Sequence, residues 1–205
     1  MEDGVYRQLC EMILKGRIIP GESITVASLA DAFQVSPMPV RNALSRLTSA
    51  GALTVISGRT IGIPQLTRQR LEEVMRVRLT VEPAATAWAA EKTGGSDTAY
   101  LSEKFQALMD NEKGGYTKLY LQANYDFHFE VYRLAQSPTM MAIIETLWLQ
   151  IAPYFHMLSS SGNFRISQRH HEAIFEMIQK NQPDGARQAM HDDITDAFEI
   201  LRSYF

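Results

Sequence analysis

Residues 28–47 (SLADAFQVSPMPVRNALSRL) hold two short apolar periodicities separated by a tight turn, and few folds accommodate that pattern. Thr25 is placed to cap a first helix, on which Val26, Leu29, Ala30 and Phe33 form one apolar stripe. Gln34 and Val35 make the turn, with Val35 packing between the helices. Ser36 is placed as the N-cap of a second helix, and Pro37 follows at its first position, where a missing N–H costs nothing. Pro39 still lies in that first turn and is tolerated there. Val40, Leu44 and Leu47 face inward at i, i+4 and i+7, which turns Arg41, Asn42, Ser45 and Arg46 outward. A capped helix with an apolar inner face and outward arginines is a helix built to lie in a DNA groove.

A hairpin follows. Gly51 ends the helix, residues 53–56 are apolar and β-branched, and Ser57-Gly58-Arg59-Thr60 forms a basic-tipped turn before residues 61–63 return to Pro64. An earlier helix over about residues 5–15 adds Leu9, Met12 and Ile13 to the same core. Together these predict a winged helix-turn-helix, with Arg59 at the wing tip able to enter a minor groove. Arg7 and Arg17 read as solvated surface charges.

Ile19-Pro20-Gly21-Glu22, Leu29-Ala30, Val35-Ser36, Pro39-Val40-Arg41, Ala43-Leu44, Arg46-Leu47 and Gly51 resemble the GntR family of bacterial transcription regulators, over about residues 5–64. The resemblance implies that Arg41, its neighbours on the second helix and the wing glycine Gly58 grip DNA. The expected DNA-facing set is Ser36, Arg41, Asn42, Ser45, Arg46, Gly58 and Arg59. Members usually carry a basic residue where this chain has Pro37, so one phosphate or base contact is missing.

The 205 residues suffice for two modest domains, 1–66 and 67–205. Net charge is -3 overall, but residues 1–64 hold six basic and five acidic side chains, which leaves the acidic excess in the second part. The single cysteine, Cys10, excludes an intrachain disulfide and reads as a small buried hydrophobe. No apolar run is long enough to span a bilayer and the acidic start lacks a signal-peptide pattern, so a cytoplasmic protein is expected.

Beyond residue 67 there is no strand signal. Helical periodicity predicts helices over about 71–92, 97–112, 118–135, 139–159, 165–180 and 183–204, with an adjustment at Pro83 and a break near Pro153. The fold class is therefore mostly α: the winged helix, then an all-α bundle. Val77-Arg78 with Glu82, Ala84-Ala85, Phe127-His128, Ala135, His171-Glu172-Ala173-Ile174, Asp184, Ala186 and Ala189-Met190 resemble the FCD ligand-binding domain that follows the winged helix in one GntR subfamily, over about residues 70–200. That resemblance implies a pocket with an acid and a histidine one turn apart plus two further histidines. The corresponding positions here are Asn124, His128, His171 and Asp193, two of which depart from the usual set.

Two imidazoles and one carboxylate still suit a divalent Zn, Ni or Mn ion, with Asn124 adding a weak carbonyl ligand. The other reading is a hydrogen-bonded pocket without metal. His156, His170 and His191 are expected at the surface. Arg78 is a candidate clamp for a carboxylate effector or an ion-pair partner for Glu82 at i+4, and Tyr132 is a candidate lining residue. There is no nucleophile motif, phosphate loop or His-Glu-x-x-His. The expectation is therefore a homodimeric, ligand-responsive regulator, most simply a repressor, that binds operator DNA and a small organic acid. A metal sensor, and an enzyme with an appended DNA module, remain as alternatives.

Overall fold

A computed structural model describes residues 2–58, 60–93, 98–112, 118–161 and 164–205. The first unit comprises α1 (Glu2–Leu14), β1 (Ser23–Thr25), α2 (Val26–Ala32), α3 (Pro37–Ser49), β2 (Thr54–Ser57) and β3 (Thr60–Gly62). Thr25 caps α2 as the sequence suggests. Its Oγ1 accepts from the Ser28 amide at 3.0 Å while the Ser28 Oγ accepts from the Thr25 amide at 3.2 Å, a reciprocal capping box. Ser36 occupies the N-cap of α3 but makes no side-chain capping bond. Pro39 sits at N3, where the N–H that a serine cap prefers is absent. Gln34 adopts φ 54° in the turn between the helices.

α3 ends in a Schellman turn. Gly51 has φ 70°, its N–H donates to the Thr48 carbonyl at 3.0 Å, and the Ala52 N–H donates to the Leu47 carbonyl at 3.0 Å. The hairpin expected from sequence gains a third strand, giving the order β1-β3-β2 with both pairs antiparallel. Three residues of β1 are too few to show a period-two signal, and the sequence alone gives no strand there. Leu9, Ile13, Ile18, Leu44, Leu47 and Leu53 are all buried between α1, α3 and the sheet.

The second unit contains α4 (Arg68–Thr93), α5 (Ala99–Glu112), α6 (Lys118–Leu134), α7 (Pro138–Ile151), a 3₁₀ segment (Ala152–Ser161), α8 (Phe164–Gln179) and α9 (Pro183–Arg202). α4 is the hub and packs against α6, α7, α8 and α9. It runs unbroken through Pro83. The expected break near Pro153 is a change of helix type: a proline has no N–H for the α-helical ladder, and the chain continues in the tighter form. The Gly94-Gly95 and Gly114-Gly115 pairs, which the sequence places between helices, Ser96 or Asp97, either of which could cap α5, and Gly162-Asn163 of the loop before α8 lie outside the described residues. No described helix is long and apolar enough to cross a membrane.

The units touch through specific side chains. α1 packs against α7 and the 3₁₀ segment. Lys15 lies 3.9 Å from Asp126 and over the Tyr125 ring. The Tyr154 hydroxyl donates to the Pro64 carbonyl, and Arg70 donates to the Gln150 side chain directly beneath Gly51. A methyl at Gly51 would approach the Arg70 guanidinium to 3.0 Å on a backbone that L-residues avoid. Gly51→Ala should therefore cost about 1–2 kcal/mol in urea unfolding. An unchanged midpoint would show that the turn tolerates a side chain.

A polar cavity and a DNA-reading face

The cavity is assembled from five helices and the 3₁₀ segment. Arg78 comes from α4, Asn124 and His128 from α6, His171 from α8 and Asp193 from α9, and all five line it. The three groups with metal-ligating atoms converge. His128 Nε2 lies 3.2 Å from His171 Nε2, and the Asp193 carboxylate oxygens lie 3.6 Å from each of these nitrogens. A tetrahedral cation with bonds of about 2.1 Å spaces its ligand atoms about 3.4 Å apart, so this triangle has a cation's dimensions.

The electrostatics match. Burial, with neighbouring His171 and Arg78, holds His128 well below the usual histidine range. Burial, aided by His170, pushes His171 down to about 3. Both imidazoles are neutral, so neither close approach to Asp193 is an ion pair. Burial raises Asp193 to about 7, a shift that nearby His170 and Arg78 oppose only in part. A cation placed among the three groups would relieve the cost of that buried carboxylate.

A hydrogen-bonded chain behind the cavity orients His128. Arg78 donates to Glu82 from Nε at 2.6 Å and Nη2 at 3.1 Å, with both side chains buried. Burial disfavours the guanidinium charge, but Glu82 outweighs that and raises the Arg78 pKa. The Tyr132 hydroxyl donates to Glu82 Oε2 at 2.6 Å, and the Tyr132 hydroxyl oxygen also lies 3.3 Å from His128 Nδ1. Tyr132 has one proton, and Glu82 takes it. Its oxygen must then accept from His128, which puts the imidazole proton on Nδ1 and the Nε2 lone pair in the cavity. His171 has no such support: its Nδ1 is buried without a partner among the described residues.

Tyr132 therefore stands behind His128 instead of lining the cavity with it. Trp148, Phe155, Tyr120 and Leu158 supply the walls, and sequence reading missed them. Nothing local distinguishes a pocket aromatic from a core aromatic; only the break at Pro153 hinted that this segment was unusual. Arg78 pairs with Glu82, as the i+4 spacing allows, and also lines the cavity. Its Glu82 bonds use two of five N–H groups, Nη1 donates to the Met75 sulfur at 3.5 Å, and the guanidinium lies 5.2 Å from the Trp148 ring and 5.6 Å from the Phe155 ring. The remaining histidines keep to the edge: His156 and His191 are exposed, and half-buried His170 pairs with Asp196 at 2.7 Å. The cavity holds about 30 Å³, enough for one water.

On the first unit, Ser36, Arg41 and Ser45 are exposed and Asn42 is half-buried. Arg41 stands in a groove between the start of α3 and the wing, lined also by Pro37, Val55, Gly58 and Ile61. Arg46 turns away from that groove. It stacks over the Tyr6 ring at 3.7 Å and approaches Asp3 at 3.4 Å, so part of its charge is spent on α1. Arg59 lies outside the described residues.

Comparison with known proteins adds the context. Residues 1–63 match the bacterial regulatory proteins of the gntR family, and residues 73–196 match the FCD domain. The chain is 27% identical over 200 residues to the HTH-type transcriptional regulator McbR of Escherichia coli, covering 96% of this chain and 90% of that protein. It is 25% identical over 189 residues to the uncharacterized HTH-type regulator YdhC of Bacillus subtilis, covering 89% and 83%. The solved McbR structure superposes with a TM-score of 0.87 at 25% identity, over 100% of this chain and 98% of that one. A structure described as the metal-free FCD domain of TM0439 shares the fold at a TM-score of 0.57 and 18% identity, over 69% of this chain and 99% of that one. The overall fold is thus that of these regulators, and the chain belongs to the GntR family of bacterial transcriptional regulators, with an FCD domain as its second unit.

Proposed function

We propose that this regulator is a homodimeric repressor whose FCD cavity takes a divalent cation together with a small carboxylate effector. The convergence of His128, His171 and Asp193 beside the free edge of Arg78 carries this reading. The two imidazoles and the carboxylate would hold the ion, and Asn124 would add a neutral oxygen. When bound, the ion supplies an electropositive anchor for carboxylate oxygens. With one anionic ligand, a divalent ion keeps a net positive charge, which favours an anionic guest. Arg78 offers the second hydrogen-bonding edge.

The size of the cavity suggests how a guest would be felt at the DNA. About 30 Å³ admits no organic acid, so its arrival requires the aromatic wall of Trp148 and Phe155 to give way. Those residues share α7 and the 3₁₀ segment with Gln150 and Tyr154, which bond to Arg70 under Gly51 and to the Pro64 carbonyl. Displacement of that wall would shift the end of the recognition helix and the start of the linker together. A guest that favours one arrangement changes operator affinity by that difference. Dimerisation follows from recognition: one α3 spans only a few base pairs, and a twofold pair on a palindrome gives useful specificity. The same narrow cavity favours a second reading, in which the cation alone is the signal. Operator affinity measured against metal without any acid separates the two.

Calorimetric titration of the metal-stripped protein should give one Zn²⁺, Ni²⁺ or Mn²⁺ per chain, with binding lost in His128→Ala. Tyr132→Phe, which removes only the supporting hydroxyl, should weaken the ion about 10–100-fold. Wild-type protein that takes up none of these ions would overturn the metal reading. On the DNA side, Arg41→Ala should weaken binding to an operator duplex, recovered by selection from a random pool, at least tenfold without lowering thermal stability. Unchanged affinity would remove Arg41 from the interface.

A further inference from the structure

The first turn of α3 is chemically unusual for a helix that meets DNA. Pro37 occupies N1 and Pro39 occupies N3, so two of the three leading amides have no hydrogen to donate. The usual grip of a helix N-terminus on a phosphate is thereby reduced to the Met38 N–H. Between the prolines, Met38 projects with 65% of its surface exposed, the second most exposed large apolar side chain among the described residues.

Its position on the helix gives that exposure a meaning. Met38, Arg41, Asn42 and Ser45 stand at i, i+3, i+4 and i+7, so the methionine begins the same outward stripe as the polar DNA-facing residues. Val40, Ala43, Leu44 and Leu47 occupy the opposite, buried face. Nor is the surroundings' character polar: Pro37 and exposed Val55 line the groove in which Arg41 stands. Residues at the N-terminal end of a recognition helix are the ones that reach base edges. In the major groove, the one apolar feature a base presents is the thymine 5-methyl.

We infer that Met38 is a specificity-determining residue that reads a thymine methyl in the major groove through apolar contact. The flexible thioether side chain adapts to the methyl's position, and the neighbouring prolines fix the backbone from which it reaches. Specificity at that position is then insensitive to salt, unlike the contribution of Arg41. The inference rests on the DNA-binding reading of α3.

The test uses the full-length protein and the selected operator duplex, with each thymine replaced in turn by deoxyuridine, which removes only the methyl. Burying one methyl corresponds to about fourfold in affinity, so one thymine in each half-site should show a loss of that size for the wild-type protein. Met38→Ala should bind more weakly, and uracil at that position should cost it nothing further. Met38→Lys should lose the same discrimination while its affinity becomes more steeply dependent on salt. Met38 is exposed, so both variants should keep the wild-type melting temperature. Salt-dependent operator binding with no sensitivity to any single deoxyuridine, or the same sensitivity in Met38→Ala as in wild type, would overturn the inference and leave the DNA-binding reading standing. Failure to recover any bound duplex would instead refute that underlying reading.

Discussion

The buried chain from Arg78 through Glu82 and Tyr132 to His128 is the constraint on which the second unit is organised. Its members come from α4 and α6, and it holds both helices in one register while placing an ion pair out of reach of bulk solvent. Such a pair is costly unless every hydrogen-bonding group is used. Here Glu82 receives three bonds, from two guanidinium nitrogens and the tyrosine hydroxyl. What the arrangement delivers is direction. One carboxylate fixes the tyrosine proton, the tyrosine fixes the imidazole proton, and the imidazole turns a lone pair toward His171 and Asp193.

The cavity and the reading head are joined by the aromatic wall. Trp148 and Phe155 border the polar groups, and their own segment carries Tyr154, which bonds to the Pro64 carbonyl, and Gln150, which bonds to Arg70 beneath Gly51. Because the space between them is close to one water in size, a larger guest would have to displace them. At the far end, the first unit spends its two recognition-helix arginines differently. Arg46 is tied to Tyr6 and Asp3, which couples α3 to α1, and Arg41 is left free in the groove beside the wing.

Much of the first unit was legible in the sequence because its signals are local. A capping threonine, a proline at N1 and a glycine just beyond a helix each act within one turn of chain. The short β1 was not legible, since its pairing with β3 spans some forty residues and leaves no periodicity. For the second unit, helical spacing located every helix, and the family resemblance located Arg78, Asn124, His128, His171 and Asp193 in one cavity. Tyr132 stood one turn from His128 and was assigned to the lining. Its actual place behind the imidazole depends on how α6 is rotated against α4, which spacing on one helix cannot tell. Trp148 and Phe155 were missed for the same reason: which core aromatic borders a void depends on packing among several helices.

The orientation of His128 is the most direct point of contact with experiment. Long-range proton–nitrogen correlation spectra of the metal-free protein, with nitrogen-15 in its histidines, distinguish which ring nitrogen carries the proton. The hydrogen-bonded chain predicts a neutral His128 protonated at Nδ1 at neutral pH, with Nε2 bare. A His128 ring protonated at Nε2, or at both nitrogens, would contradict it.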